Sequence, residues 1–309
     1  MTRTSFLPSL LALSALAACA VTSPLRADDF KPQIQYAEVN GVKLAYYLRG
    51  TGKPLVMING FLSSMSLWDP ALLAELEKTH TLVLFDNRGV GLSSDTTENS
   101  TTIPQMADDA AALIQTLGLK DPDVLAWSMG ARIGQQLLIR HPDVVHKAVL
   151  VSADPGGTHD APAAADTESA LNDPNVDKMK KLYLTYPDND AGRQSAQQTL
   201  ARIEAAVKDG SMPDDFTVSK ETTMRQDRAR TTLWSGNDDN FNALKTITTP
   251  VLVTAGKDDI IDPPQNAAII AGQIPFAWTA YFEGGHAFLF QSHARFSAAV
   301  DMFLADQDN

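Results

Sequence analysis

Apolar runs at residues 54–58, 81–85, 124–127, 147–152 and 250–254 are each long enough for a strand buried on both faces and too short for a buried helix. Between them the apolar positions change period. Residues 103, 106, 110, 113, 114 and 117 make one stripe at helical spacing, closed by Gly118. Asp69-Pro70 opens another helix, reaching to 78, with the aspartate as N-cap and the proline in the first helical position. Ahead of these, two β-prone runs at 34–39 and 42–48 flank Asn40-Gly41, a strong hairpin signal. Strands and helices alternating at this rhythm predict a mostly parallel sheet with helices on both faces.

From about 154 to 245 the rhythm breaks. Helical patterns recur around 179–186, 194–208 and 218–233, and β-branched runs are few. This stretch reads as a helical insertion. Met179, Met212, Met224, Tyr183, Tyr186 and Trp234 could line an apolar substrate cavity there, although packing the insertion's own core is the plainer expectation. After 250–254, a final helix and strand lead to Glu283-Gly284-Gly285-His286, and an amphipathic helix over 296–304 closes the chain.

The chemistry concentrates at Val124-Leu125-Ala126-Trp127-Ser128-Met129-Gly130. A buried strand runs straight into a serine with small residues two before and two after it, and a helix follows at once. Small neighbours let strand and helix approach closely enough to lift the serine hydroxyl above the sheet. The same turn aims the backbone N–H of Met129, at a helix N-terminus, toward whatever Ser128 attacks, where it stabilises an anion.

This stretch resembles the nucleophile elbow of the α/β-hydrolase family, with Ala126 standing where the commoner pattern has glycine. Asp86-Asn87-Arg88-Gly89-Val90-Gly91-Leu92-Ser93 resembles the family's D-x-R-G-x-G-x-S stretch, and a structural job is expected of Asp86 and Arg88, pairing and loop anchoring. The resemblance implies an eight-stranded, mostly parallel sheet. It also implies a first core part over 31–153, a helical cap over 154–245 and a second core part over 246–309. In the Asn59-Gly60-Phe61 loop, Asn59 replaces the family's usual histidine, and Phe61 would supply the second oxyanion-hole N–H beside Met129. The family's loop of form G-x-x-D selects Asp259, not Asp258, as the acid, and His286 after the last strand as the base. Asp154, after the sixth strand, is the alternative acid, since some relatives place it there.

Ser128, Asp259 and His286 each follow a predicted strand, so a parallel sheet carries them to one edge. The implied reaction is acyl transfer through a covalent intermediate, a carboxylic ester or related small-molecule substrate being cleaved by water. Acyltransferase, perhydrolase or enol-lactone chemistry on the same residues is the alternative, and a catalytically silent binding protein of this fold is the third. Because the imidazole must be neutral, activity is expected to rise through a pH of about 6.5. No cofactor is expected, and no metal, for want of any His-x-x-x-His or cysteine spacing.

Composition narrows the partners. With 37 acidic against 25 basic residues, net charge −12, the chain offers no field for nucleic acid. Arg3, an apolar segment over 6–18 and then Cys19, the only cysteine, read as an export signal. Leu16-Ala17-Ala18-Cys19 resembles the lipobox of bacterial lipoproteins, which implies removal of 1–18, lipidation of Cys19 and a tether over 19–30. Membrane contact would then be through that lipid alone, at the periplasmic face of the outer membrane. Simple cleavage, giving a soluble periplasmic or secreted protein, is the alternative.

Overall fold

The computed structural model describes residues 30–96, 101–173, 175–236 and 238–305. The expected export segment, Cys19 and residues 19–29 of the expected tether lie outside the described residues.

The chain enters through a hairpin, β1 (Gln35–Val39) and β2 (Val42–Gly50), whose register closes on Val39 opposite Val42. Asn40 and Gly41 both adopt positive φ, as a two-residue hairpin turn requires. There follow β3 (Lys53–Ile58), α1 (Pro70–Leu76), β4 (His80–Phe85), α2 (Ile103–Thr116), β5 (Asp123–Trp127), α3 (Met129–Arg140) and β6 (Ala148–Val151). Between β6 and the next strand lie α4 (Ala165–Asn172), α5 (Lys178–Leu184), α6 (Asp190–Asp209), α7 (Lys220–Arg228) and α8 (Asp239–Ala243). The chain ends with β7 (Val251–Gly256), α9 (Gln265–Gln273), β8 (Ala277–Phe282), α10 (Phe288–Gln291) and α11 (His293–Ala305).

The eight strands form one sheet in the order β1-β2-β4-β3-β5-β6-β7-β8, with β2 antiparallel to β1 and β4 and every other pair parallel. Apolar runs without alternation become strands covered on both faces: Leu55, Val56, Met57 and Ile58 are all fully buried, as are Val124, Leu125 and Ala126. The parallel registers set Ile58 opposite Ala126, Trp127 opposite Val151 and Gly256 opposite Phe282. The loops leaving β3, β5, β6, β7 and β8 therefore open on one edge of the sheet.

Two aspartates tie that edge together. Asp69 caps α1 by accepting the Ala71 N–H at 2.9 Å, and its fully buried carboxylate also takes Arg202 of α6 at 2.8 and 2.5 Å. Asp86 accepts the N–H of Met65 at 2.7 Å and of Leu92 at 2.8 Å, fixing the loop after β3 against the loop after β4. Arg88 does not pair with Asp86. It reaches α2 instead, where Nε and Nη2 lie 2.6 and 2.7 Å from the two oxygens of Asp109. Paired carboxylate and guanidinium are far apart in sequence, so spacing alone could not match them.

The insertion is richer in helix than the periodicity suggests, since the short α4 and α8 carry little apolar patterning. Of the six apolar residues proposed for it, Tyr186, Met212 and Trp234 are buried, and Met224 is exposed. None of the six lines the cavity at Ser128.

Replacing Arg88 with Met strands the Asp109 carboxylate in the interior. Urea unfolding should show a loss of about 3–5 kcal/mol, and Arg88→Met with Asp109→Leu a smaller loss than Arg88→Met alone. Equal stability of wild type and Arg88→Met would contradict this assignment.

Candidate active site

Ser128 occupies the turn between β5 and α3 with φ 59° and ψ −127°, a backbone conformation that costs a non-glycine residue about 1–3 kcal/mol. Its surroundings hold it there. The Ser128 N–H donates to the Val151 carbonyl at 2.9 Å, and α3 starts so close to β3 that a Cβ on Gly130 would lie 2.2 Å from the Ile58 carbonyl oxygen. Alanine is accommodated at 126 because the facing helix position is Gly134, where an added Cβ would come within 3.1 Å of the Ala126 Cβ.

The loop after β8 brings His286 over this turn. Its Nε2 is 2.9 Å from Ser128 Oγ, and its Nδ1 is 2.9 Å from Asp259 Oδ2. The other oxygen of Asp259 accepts the N–H groups of Ile261 and Asp262, both at 2.9 Å, which leaves the carboxylate little freedom to rotate. With its proton on Nδ1, His286 donates to Asp259 and presents a lone pair to the serine hydroxyl. Trp127, beside the serine, donates from its indole Nε1 to the His286 carbonyl at 3.0 Å, and its ring lies 5.6 Å from the imidazole.

A second charged group adjoins these three. Arg132, one turn into α3, places Nη2 2.5 Å from Asp154 and 3.3 Å from Asp262. Asp154 also accepts the Trp234 indole N–H at 2.6 Å and the Gly156 N–H at 2.8 Å. Its carboxylate is thus committed to Arg132 and the start of the insertion, and Asp259 is the carboxylate that meets His286. Asp262 stands 3.9 Å from His286 Nδ1. Burial, opposed by Arg132, pushes the Asp262 carboxyl up to about 7. For His286, burial acts downward, but the Asp259 charge and hydrogen bond, and then Asp262, outweigh it and hold the imidazole above its ordinary value.

Backbone donors frame the space in front of Ser128. In the loop after β3, the Gly60 N–H donates to Asn59 Oδ1 at 2.8 Å and the Leu62 N–H to Gln226 Oε1 at 3.0 Å. The Phe61 N–H between them has no hydrogen-bond acceptor among the described residues. Met129 is the first residue of α3, where no intrahelical acceptor exists for its N–H. Gly60 packs on the serine, with only 3.1 Å between Ser128 Cβ and the place a Cβ would occupy. The cavity, about 290 Å³, is walled by Phe61, Leu62, Trp127, Met129, Leu171 and Ile261 among others.

The profile of the alpha/beta hydrolase fold matches residues 53–292. The chain belongs to the alpha/beta hydrolase fold family. It is 29% identical over 269 residues to a protein named "Putative non-heme bromoperoxidase BpoC" from Mycobacterium tuberculosis, covering 85% of this chain and 98% of that one. It is 28% identical over 258 residues to a "Putative carbamate hydrolase RutD" from a Caulobacter species, covering 82% and 91%. Among solved structures, an alpha/beta hydrolase fold protein from Chitinophaga pinensis superposes with a TM-score of 0.76 at 26% identity, covering 91% of this chain and 99% of that one.

In this hydrolase-fold chain the structure thus brings Ser128, Asp259 and His286 together, with Phe61 and Met129 lining the same cavity, and pairs Asp154 with Arg132 instead of the imidazole. Sequence reasoning passed over Arg132, Asp262, Trp127, Lys181 and Arg230. Arg132 and Asp262 lay in view, four residues after Ser128 and three after Asp259, but what joins them is a contact across 130 positions.

The imidazole of His286, followed by NMR, should titrate above about 6.5 in the wild type. Asp262→Asn removes a negative charge and should lower that midpoint. An unchanged midpoint would show that Asp262 does not act on it.

Proposed function

We propose that this chain is a serine hydrolase that cleaves a carboxylic ester or related acyl bond through Ser128, His286 and Asp259. The observation that carries the reading is the pair of 2.9 Å contacts joining hydroxyl, imidazole and carboxylate beside an apolar cavity. His286 takes the hydroxyl proton as Ser128 Oγ attacks the carbonyl carbon, and Asp259 stabilises the imidazolium that forms. The carbonyl oxygen, now an anion, is met by the N–H groups of Phe61 and Met129. The tetrahedral adduct expels the alkoxide, which takes the proton from His286, and water then releases the acid by the same steps in reverse order. The helical segment 154–245 acts in this reading as the cap that chooses the substrate, since Leu171, Lys181, Thr185 and Arg230 reach the cavity.

Because the base must be neutral, kcat/KM rises with pH through the His286 midpoint, which the neighbouring carboxylates move above 6.5. A fluorescent fluorophosphonate should label wild type and fail to label Ser128→Ala or His286→Ala, with kcat on a short-chain ester falling at least about a thousandfold in both. A folded wild type that resists labelling would overturn the hydrolase reading and favour a silent binding protein.

We propose further that residues 1–18 direct export and that Cys19 is lipidated, anchoring the enzyme on the periplasmic face of the outer membrane. Cells fed labelled palmitate should yield labelled protein, and Cys19→Ala should abolish the label. Unlabelled wild-type protein in the soluble periplasm would replace this with simple cleavage.

A further inference from the structure

Three cations from three separate elements line the cavity at Ser128: Arg132 from α3, Lys181 from α5 and Arg230 from the π-helical turn at Ala229–Leu233. The same lining carries one carboxylate, Asp262. Two of the three are matched by carboxylates. Arg132 holds Asp154 and Asp262, while Arg230 pairs with Asp227 at 2.7 Å and lies 4.3 Å over the Phe61 ring. Lys181 differs. It donates to the Leu171 carbonyl at 2.9 Å, and no carboxylate pairs with it among the described residues.

An ammonium has three donors, and a backbone carbonyl uses one of them while neutralising no charge. The site is partly desolvated, walled by Phe61, Leu171 and Ile261, so an anion brought against that ammonium is screened less than at an open surface. The guanidinium of Arg230 is itself partly withdrawn from water: burial lowers its pKa, against the pull of Asp227.

We infer that the cavity takes an acyl substrate bearing one carboxylate, placed against Lys181 with Arg230 beside it, while the scissile carbonyl lies at Ser128. A single negative charge matches the single cation left without a carboxylate, where a doubly charged phosphate would remain half unpaired and costly to desolvate. The small volume asks for a short chain between the two carbonyl carbons, and the apolar walls suit methylenes. This assignment rests on the hydrolase reading, whose failure shows separately as loss of fluorophosphonate labelling.

Monomethyl glutarate and methyl valerate have the same chain length and differ by a terminal carboxylate in place of a methyl. Hydrolysis of either by water gives methanol and an acid, followed by acid release at pH 8. The wild type should favour monomethyl glutarate in kcat/KM by about tenfold, and Lys181→Met, which keeps the packing of the stem, should remove most of that preference. Lys181→Arg should restore it in part. Binding is read apart from catalysis by calorimetry with monomethyl glutarate on Ser128→Ala, where adding Lys181→Met should weaken the affinity by about tenfold. A wild-type preference for methyl valerate, or a charged-to-neutral ratio and an affinity that Lys181→Met leaves unchanged, would overturn the inference even with Ser128 labelled normally.

Discussion

The close approach of α3 to the end of β3 is the contact on which the site depends. Only because Gly130 lacks a side chain can the first turn of the helix press against the Ile58 and Asn59 carbonyls. That approach forces Ser128 into a conformation that an unconstrained chain would abandon. The strain is held by the sheet, whose central strands are buried on both faces and whose backbone groups pair on either side of β5. In water an isolated turn of this kind would relax. Inside a parallel sheet it has nowhere to go, so the hydroxyl stays lifted toward the edge where the loops after β7 and β8 deliver Asp259 and His286.

Charge is the second constraint. Asp154, Asp259 and Asp262 lie within one buried cluster with a single guanidinium and an imidazole among them. Three carboxylates in so little water repel one another, and each solves this differently. Asp154 is held by Arg132, the Trp234 indole and a backbone N–H; Asp259 by two N–H groups and His286; Asp262 has the longer contacts to Arg132 and His286, and its affinity for a proton rises. The arrangement separates a carboxylate that orients the imidazole from one that tunes it.

The helices between β6 and β7 are bound to the core at several points around the site. Arg202 reaches the Asp69 cap, Gln226 holds the Leu62 N–H next to Phe61, and the Thr185 carbonyl accepts the Ala287 N–H beside His286. Segments that contribute cavity walls are therefore also segments that position the loops bearing Phe61 and His286. Whatever substrate the insertion selects, its packing and the geometry around Ser128 are mechanically joined.

The fold was legible in the chain because buried strands need unbroken apolar runs, helices need a 3.6-residue stripe, and Asn40-Gly41 and Asp69-Pro70 mark their turns and starts by local stereochemistry. Ser128, Asp259 and His286 could be named in advance through the family motifs they resemble, and their placement along the chain agreed. Each follows a strand, and parallel topology turns that one-dimensional fact into a shared edge. What local pattern could not carry was partnership. That Arg88 meets Asp109, that Asp154 belongs to Arg132, that Gly134 makes room for Ala126 and that Lys181 faces the serine's cavity are all contacts between distant residues. Sequence spacing sets the period of an element and the direction of its side chains. Which charges lie together, and which is left without a match, is decided only when the elements pack.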